Sequence, residues 1–123
     1  MFLGLRTAIY PIAAERLAEA KAWYALVAGK PPYFDEPFYV GFEVGGYELG
    51  LVPDGEPSVH GSQVYWGTAD AHEELLRLVA LGGILLEAVK DVGGGILVGA
   101  VADPFGNRLA IIQNPQFDAS RAT

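Results

Sequence analysis

The side chains able to do chemistry are few, and their spacing narrows what they can do. Glu43 and Glu48 flank a Gly45–Gly46 pair inside an alternating run, so a two-residue hairpin turn sets the two carboxylates opposite each other on neighbouring strands. Like charges so placed repel, which raises one pKa and makes Glu48 a weak acid/base candidate; the competing reading is a solvated hairpin tip that tolerates the pair. Arg108 has two readings, a clamp for a ligand carboxylate or a bridge to Glu48. His60 and His72 stand at no metal-ligand spacing and read as a loop residue and a helix-surface residue. The absence of cysteine removes thiol nucleophiles, thiolate metal sites and disulfides together. Gly93-Gly94-Gly95 lacks a following Gly-Lys-Ser/Thr and leads into a strand, so it is not a phosphate loop. No Gly-x-Ser-x-Gly elbow exists to support a serine nucleophile.

The elements that must position these residues follow from periodicity. Leu3, Leu5, Thr7 and Ile9 alternate against Gly4, Arg6, Ala8 and Tyr10, which predicts a first strand. From Ala13 to Ala28 the period becomes helical, with Leu17, Ala20, Tyr24 and Val27 on one face, and Gly29 and Pro31–Pro32 end it. Phe38–Val44 and Tyr47–Val52 form the hairpin, pairing Val44 with Tyr47, Glu43 with Glu48 and Gly41 with Gly50. A linker rich in turn formers covers residues 53–62. The order then repeats: a strand over Gln63–Ala69, an N-cap at Asp70, and a helix with Ala71, Leu75, Leu78 and Val79 inward. A short strand over Ile84–Val89 follows, then a hairpin from Ile96–Ala102 and Arg108–Gln113; the tail from Pro115 reads as frayed.

The pattern is therefore α+β: two βαβββ repeats, about 3–52 and about 63–114, within one domain spanning 1–123. The expected packing is two curved antiparallel sheets around a concave groove, with the helices outside. By alternation Thr7, Tyr39, Glu43, Glu48, Gln63, Tyr65 and Arg108 face that groove, a mixed aromatic and polar lining suited to a small molecule.

Composition bounds the rest. The chain has 123 residues, 51% of them apolar, enough for one core without staples. With 8 basic and 15 acidic side chains the net charge is -7, which argues against nucleic-acid and anionic-membrane partners. No apolar run reaches the roughly 18 residues of a membrane span, and Arg6 interrupts the N-terminal stretch, so a cytoplasmic location is expected.

Four features resemble the vicinal oxygen chelate superfamily of glyoxalase I, bleomycin-resistance proteins and extradiol dioxygenases. They are Tyr10–Pro11 leading into a helix with Ala20-Lys21-Ala22-Trp23-Tyr24, the strand pair over Phe38–Val52, Val64-Tyr65-Trp66 before the second helix, and Asp103-Pro104-Phe105-Gly106-Asn107-Arg108 before the last strand. The resemblance implies a divalent metal held at four strand positions, which fall here on Thr7, Gly50, Gln63 and Ala110. Only Gln63 offers a donor, so no metal and no other cofactor is expected; a two-residue slip placing Glu48 on the site is the best remaining argument for one. The resemblance implies a small-molecule-binding protein that works without a metal, as a homodimer. The alternative it leaves is a glyoxalase-, lyase- or dioxygenase-like enzyme using an atypical metal site or a carboxylate such as Glu48.

Overall fold

The computed structural model describes residues 3, 5–60 and 63–115. Gly4 of the expected first strand, positions 61 and 62 of the linker, and the tail beyond Pro115 lie outside the described residues. The chain divides into two compact units, 1–57 and 58–123.

In the first unit the elements are β1 (Thr7–Pro11), a 3-10 turn (Ala14–Arg16), α1 (Leu17–Ala28), β2 (Phe34–Glu36), β3 (Tyr39–Val44) and β4 (Tyr47–Val52). The sheet order is β1-β4-β3-β2. The hairpin register is the one the glycine pair predicts: Val44 opposite Tyr47, Glu43 opposite Glu48, Gly41 opposite Gly50. Gly45 at φ 59 and Gly46 at φ 91 supply the left-handed pair that a tight turn needs. Helix α1 packs on β3 and β4. Beneath it Val40, Phe42, Leu49 and Leu51 are buried, together with Tyr10 of β1. Tyr10 meets Tyr24 edge-on at 5.8 Å, and Trp23 meets Tyr24 at 4.9 Å, so the aromatic pair of the helix belongs to the core.

The second unit repeats the plan with β5 (Tyr65–Gly67), α2 (Ala71–Ala80), β6 (Ile84–Asp91), β7 (Leu97–Ala102) and β8 (Arg108–Gln113), in the order β5-β8-β7-β6. Asp70 caps α2, its side chain accepting from the Glu73 N–H at 3.1 Å. Ala71, Leu75 and Leu78 are buried. The β7–β8 turn is built around Asp103, only 2% exposed, whose Oδ1 accepts from the N–H groups of Phe105 at 2.9 Å and Asn107 at 2.8 Å.

The α+β, twice-βαβββ architecture is as expected, with four refinements. Each sheet is mixed: β1 runs parallel to β4 and β5 parallel to β8, while the other neighbours are antiparallel. The first strand begins at Thr7 rather than Leu3, because β4 offers partners only from Glu48 to Val52; Leu3 and Leu5 are 77% and 90% exposed. Strand β2 is an addition, three exposed residues set between Pro31–Pro32 and Pro37 that carry no alternation to read. Val79, expected inward, is exposed, and so is Phe38. Among the described residues no helix is long and apolar enough to cross a membrane.

Candidate functional site

Each sheet has one face under its helix and one face away from it. In the first unit the second face carries Thr7 and Ile9 of β1, Glu48 and Gly50 of β4, Gly41 and Tyr39 of β3, and Phe34 of β2, which the ladders set side by side. Two glycines on adjacent strands leave a trough, and aromatic rings fill it. A Cβ on Gly50 would come within 2.7 Å of the Tyr39 ring carbon that bears the hydroxyl and 2.8 Å of Ile9 Cδ1. A Cβ on Gly41 would lie 3.1 Å from the Tyr39 ring and 3.3 Å from the Tyr33 ring. Both phenols converge on one carboxylate: Tyr33 donates to Oε1 of Glu48 and Tyr39 donates to Oε2. A carboxylate accepts about four hydrogen bonds, so these two leave capacity for further donors.

Electrostatics follow from those contacts. Burial, then the hydrogen bond to Glu48, pushes the Tyr39 phenol from the usual 10.0 up to about 12. The Tyr33 phenol is raised as well, chiefly by its hydrogen bond to the same carboxylate. A raised phenol pKa means the folded state holds its proton more tightly than the unfolded chain. The linked stability is complete below pH 10.0 and is lost as the pH climbs towards about 12. Spectrophotometric titration of the tyrosines should therefore show late titration that is reduced in Tyr39→Phe. A Tyr39→Phe profile identical to the parent would contradict the assignment.

The expected repulsion between Glu43 and Glu48 does not govern the site. The two residues do pair across the hairpin, but their carboxylates take different partners. Glu43 forms an ion pair with Lys30 and accepts from the Gly46 N–H, and Lys30 above all holds its pKa below the usual carboxylate range. The Arg108 guanidinium meets Glu87 of its own sheet, Nη2 to Oε2 at 3.2 Å. In the second unit Tyr65, 41% exposed, donates its hydroxyl to Gln63 Oε1 at 3.0 Å. Thr7 opens β1 as an exposed residue opposite Glu48. His60 and His72 are exposed, as read from the sequence. Tyr33, Phe34 and Glu87 are the site residues that sequence reasoning missed.

The four positions where the resemblance places metal ligands do not fit a divalent ion. A side chain at position 50 would collide with Tyr39, the Gln63 oxygen already accepts a hydrogen bond, and Ala110 has no donor atom. Glu48, the residue a two-residue slip would bring to the site, has both oxygens engaged by phenols. Among the described residues no group of three or more His, Cys, Asp or Glu side chains could hold a metal.

This pair of βαβββ units is the fold of glyoxalase/bleomycin resistance/dioxygenase superfamily proteins. A glyoxalase-related enzyme from Fulvimarina pelagi superimposes with a TM-score of 0.75 at 24% identity, covering 98% of this chain and 95% of the other. A lactoylglutathione lyase from Agrobacterium tumefaciens gives 0.72 at 21% identity, covering 94% of this chain and 98% of that one. A superfamily member from Sphaerobacter thermophilus gives 0.73 at 15% identity over 90% of this chain and 97% of its own. No family model and no curated protein sequence matches the chain.

Proposed function

We propose that this chain is a small-molecule-binding protein of the glyoxalase/bleomycin-resistance type that works without a metal ion. The observation that carries the reading is the Tyr33–Glu48–Tyr39 arrangement in the Gly41/Gly50 trough. Where a ligating side chain would stand, the first unit instead presents aromatic rings around a carboxylate that can accept further donors. Ile9 at 50%, Tyr33 at 63% and Phe34 at 39% exposure surround it with accessible apolar surface. Phe34 lies 5.8 Å from Tyr39, ring centre to ring centre. Aromatic faces beside a hydrogen-bonding anion suit a flat organic molecule carrying an N–H or cationic group. The fold likeness supports the same reading, since the superfamily includes bleomycin-resistance proteins, which hold a drug without transforming it.

Thermal-shift and calorimetric titration with a panel of cationic aromatic drugs and aromatic metabolites tests this. The expected result is saturable binding by at least one cationic aromatic compound, weakened about tenfold or more in Glu48→Gln. Absence of binding across the panel, or equal binding by Glu48→Gln, contradicts it.

A further inference from the structure

We infer that Arg108 forms a carboxylate-binding site on the second sheet. Other arginines in this chain use the side-on edge of the guanidinium, where Nε–H and one Nη2–H point the same way. Arg16 places both nitrogens on Glu19, at 3.1 and 3.0 Å. Arg77 places both on Glu74, at 3.1 and 2.7 Å. Both pairs are exposed, where such forks contribute little. Arg108 is the reverse case. Its side chain is only 15% exposed, Nη2 meets Glu87 at 3.2 Å, and Nε is buried with no hydrogen-bond partner among the described residues. An unpaired donor is most costly there, and a guanidinium edge half filled is shaped for one planar, two-oxygen anion.

The surroundings agree. Gly99 of β7 faces α2, a Cβ there lying 3.5 Å from Leu75, so Arg108, opposite Ala102, stands on the face away from the helix. Its sheet neighbours Ala102, Ala100 and Ala110 bring no acceptor. Glu87 reaches it only because of a bulge: counting regularly from Ile84 opposite Ala102 would put Glu87 opposite Gly99, on the helix face, whereas it lies opposite Ala100. The Glu87 side chain is 40% exposed and touches one arm of the fork. An incoming carboxylate that takes Nη2 and Nε together releases Glu87 to water, so Glu87 acts as a replaceable stopper. The site lies wholly within the second unit and is independent of the ligand reading of the first.

The test follows the arginine Nε–Hε signals of the full chain, assigned through their side-chain connectivities, during titration with sodium benzoate or with sodium chloride at equal ionic strength. The Arg108 signal should move saturably with benzoate and not with chloride, while those of Arg16 and Arg77 stay. Glu87→Gln should tighten benzoate binding about threefold to tenfold by removing the competing charge. In a chain of net charge -7, diffuse attraction of an anion cannot mimic saturation. A linear response shared with chloride, an unmoved Arg108 signal, or an unchanged affinity in Glu87→Gln would each overturn the inference.

Discussion

Gly50→Val is expected to lower the stability of the protein by about 3 kcal/mol, as measured by chemical denaturation. The sign is what makes the result informative. Glycine inside a strand is ordinarily a weakness, costing about 0.5–1 kcal/mol against alanine, and a β-branched residue usually improves a strand. At position 50 the open-face space is already taken: a Cβ would meet the Tyr39 phenol and, at 2.8 Å, Ile9 Cδ1. The Ile9 methyl can rotate away, but the rigid Tyr39 ring cannot retreat cheaply, because its hydroxyl is committed to Glu48. Gly67→Val in β5 is the control, since nothing lies within 4 Å of its Cβ, and it should be neutral or stabilising. Combining Gly50→Val with Tyr39→Ala should cost less than the sum of the two single changes. A stabilising Gly50→Val would mean that Tyr39 does not fill the trough.

Asp103→Ala should cost a similar amount, about 3 kcal/mol, because it leaves the N–H groups of Phe105 and Asn107 without their acceptor inside the turn. The loss propagates. Asn107 Oδ1 accepts from the Ser58 N–H at 3.0 Å, so the same turn anchors the start of the second unit. Asp103→Asn keeps an acceptor oxygen and should cost only about 1 kcal/mol. Denaturation midpoints at fixed slope measure both changes; a loss below about 1 kcal/mol for Asp103→Ala would show that water satisfies the turn instead.

What could be read from the residues was whatever a local rule determines. The Gly45–Gly46 pair dictated turn type, turn type dictated register, and register placed Tyr39, Gly41, Glu48 and Gly50 on one face. Asp70 announced its helix in the same way. The interaction partners were not legible, for two physical reasons. Tyr33 precedes β2 in a stretch of prolines and aromatics with no period, so nothing in the order of residues brings its hydroxyl to Glu48. Glu87 reaches Arg108 through register shifts in the β6–β7 ladder, and a bulge breaks the counting on which face assignment depends. The carboxylate pair at Glu43 and Glu48 illustrates the same limit: the pairing was readable, but Lys30 and the two phenols, which decide its chemistry, come from outside the hairpin.

The most direct test of the account is equilibrium dialysis of the metal-stripped protein against nickel, zinc, manganese and ferrous iron, with the bound ion counted per chain. The trough closed by Tyr39, the Glu48 carboxylate engaged by two phenols and the donor-free side chain of Ala110 together predict binding well below one ion per chain for all four metals, unchanged in Glu48→Gln. One tightly held ion per chain, lost in Glu48→Gln, would contradict the account and restore the metalloenzyme reading.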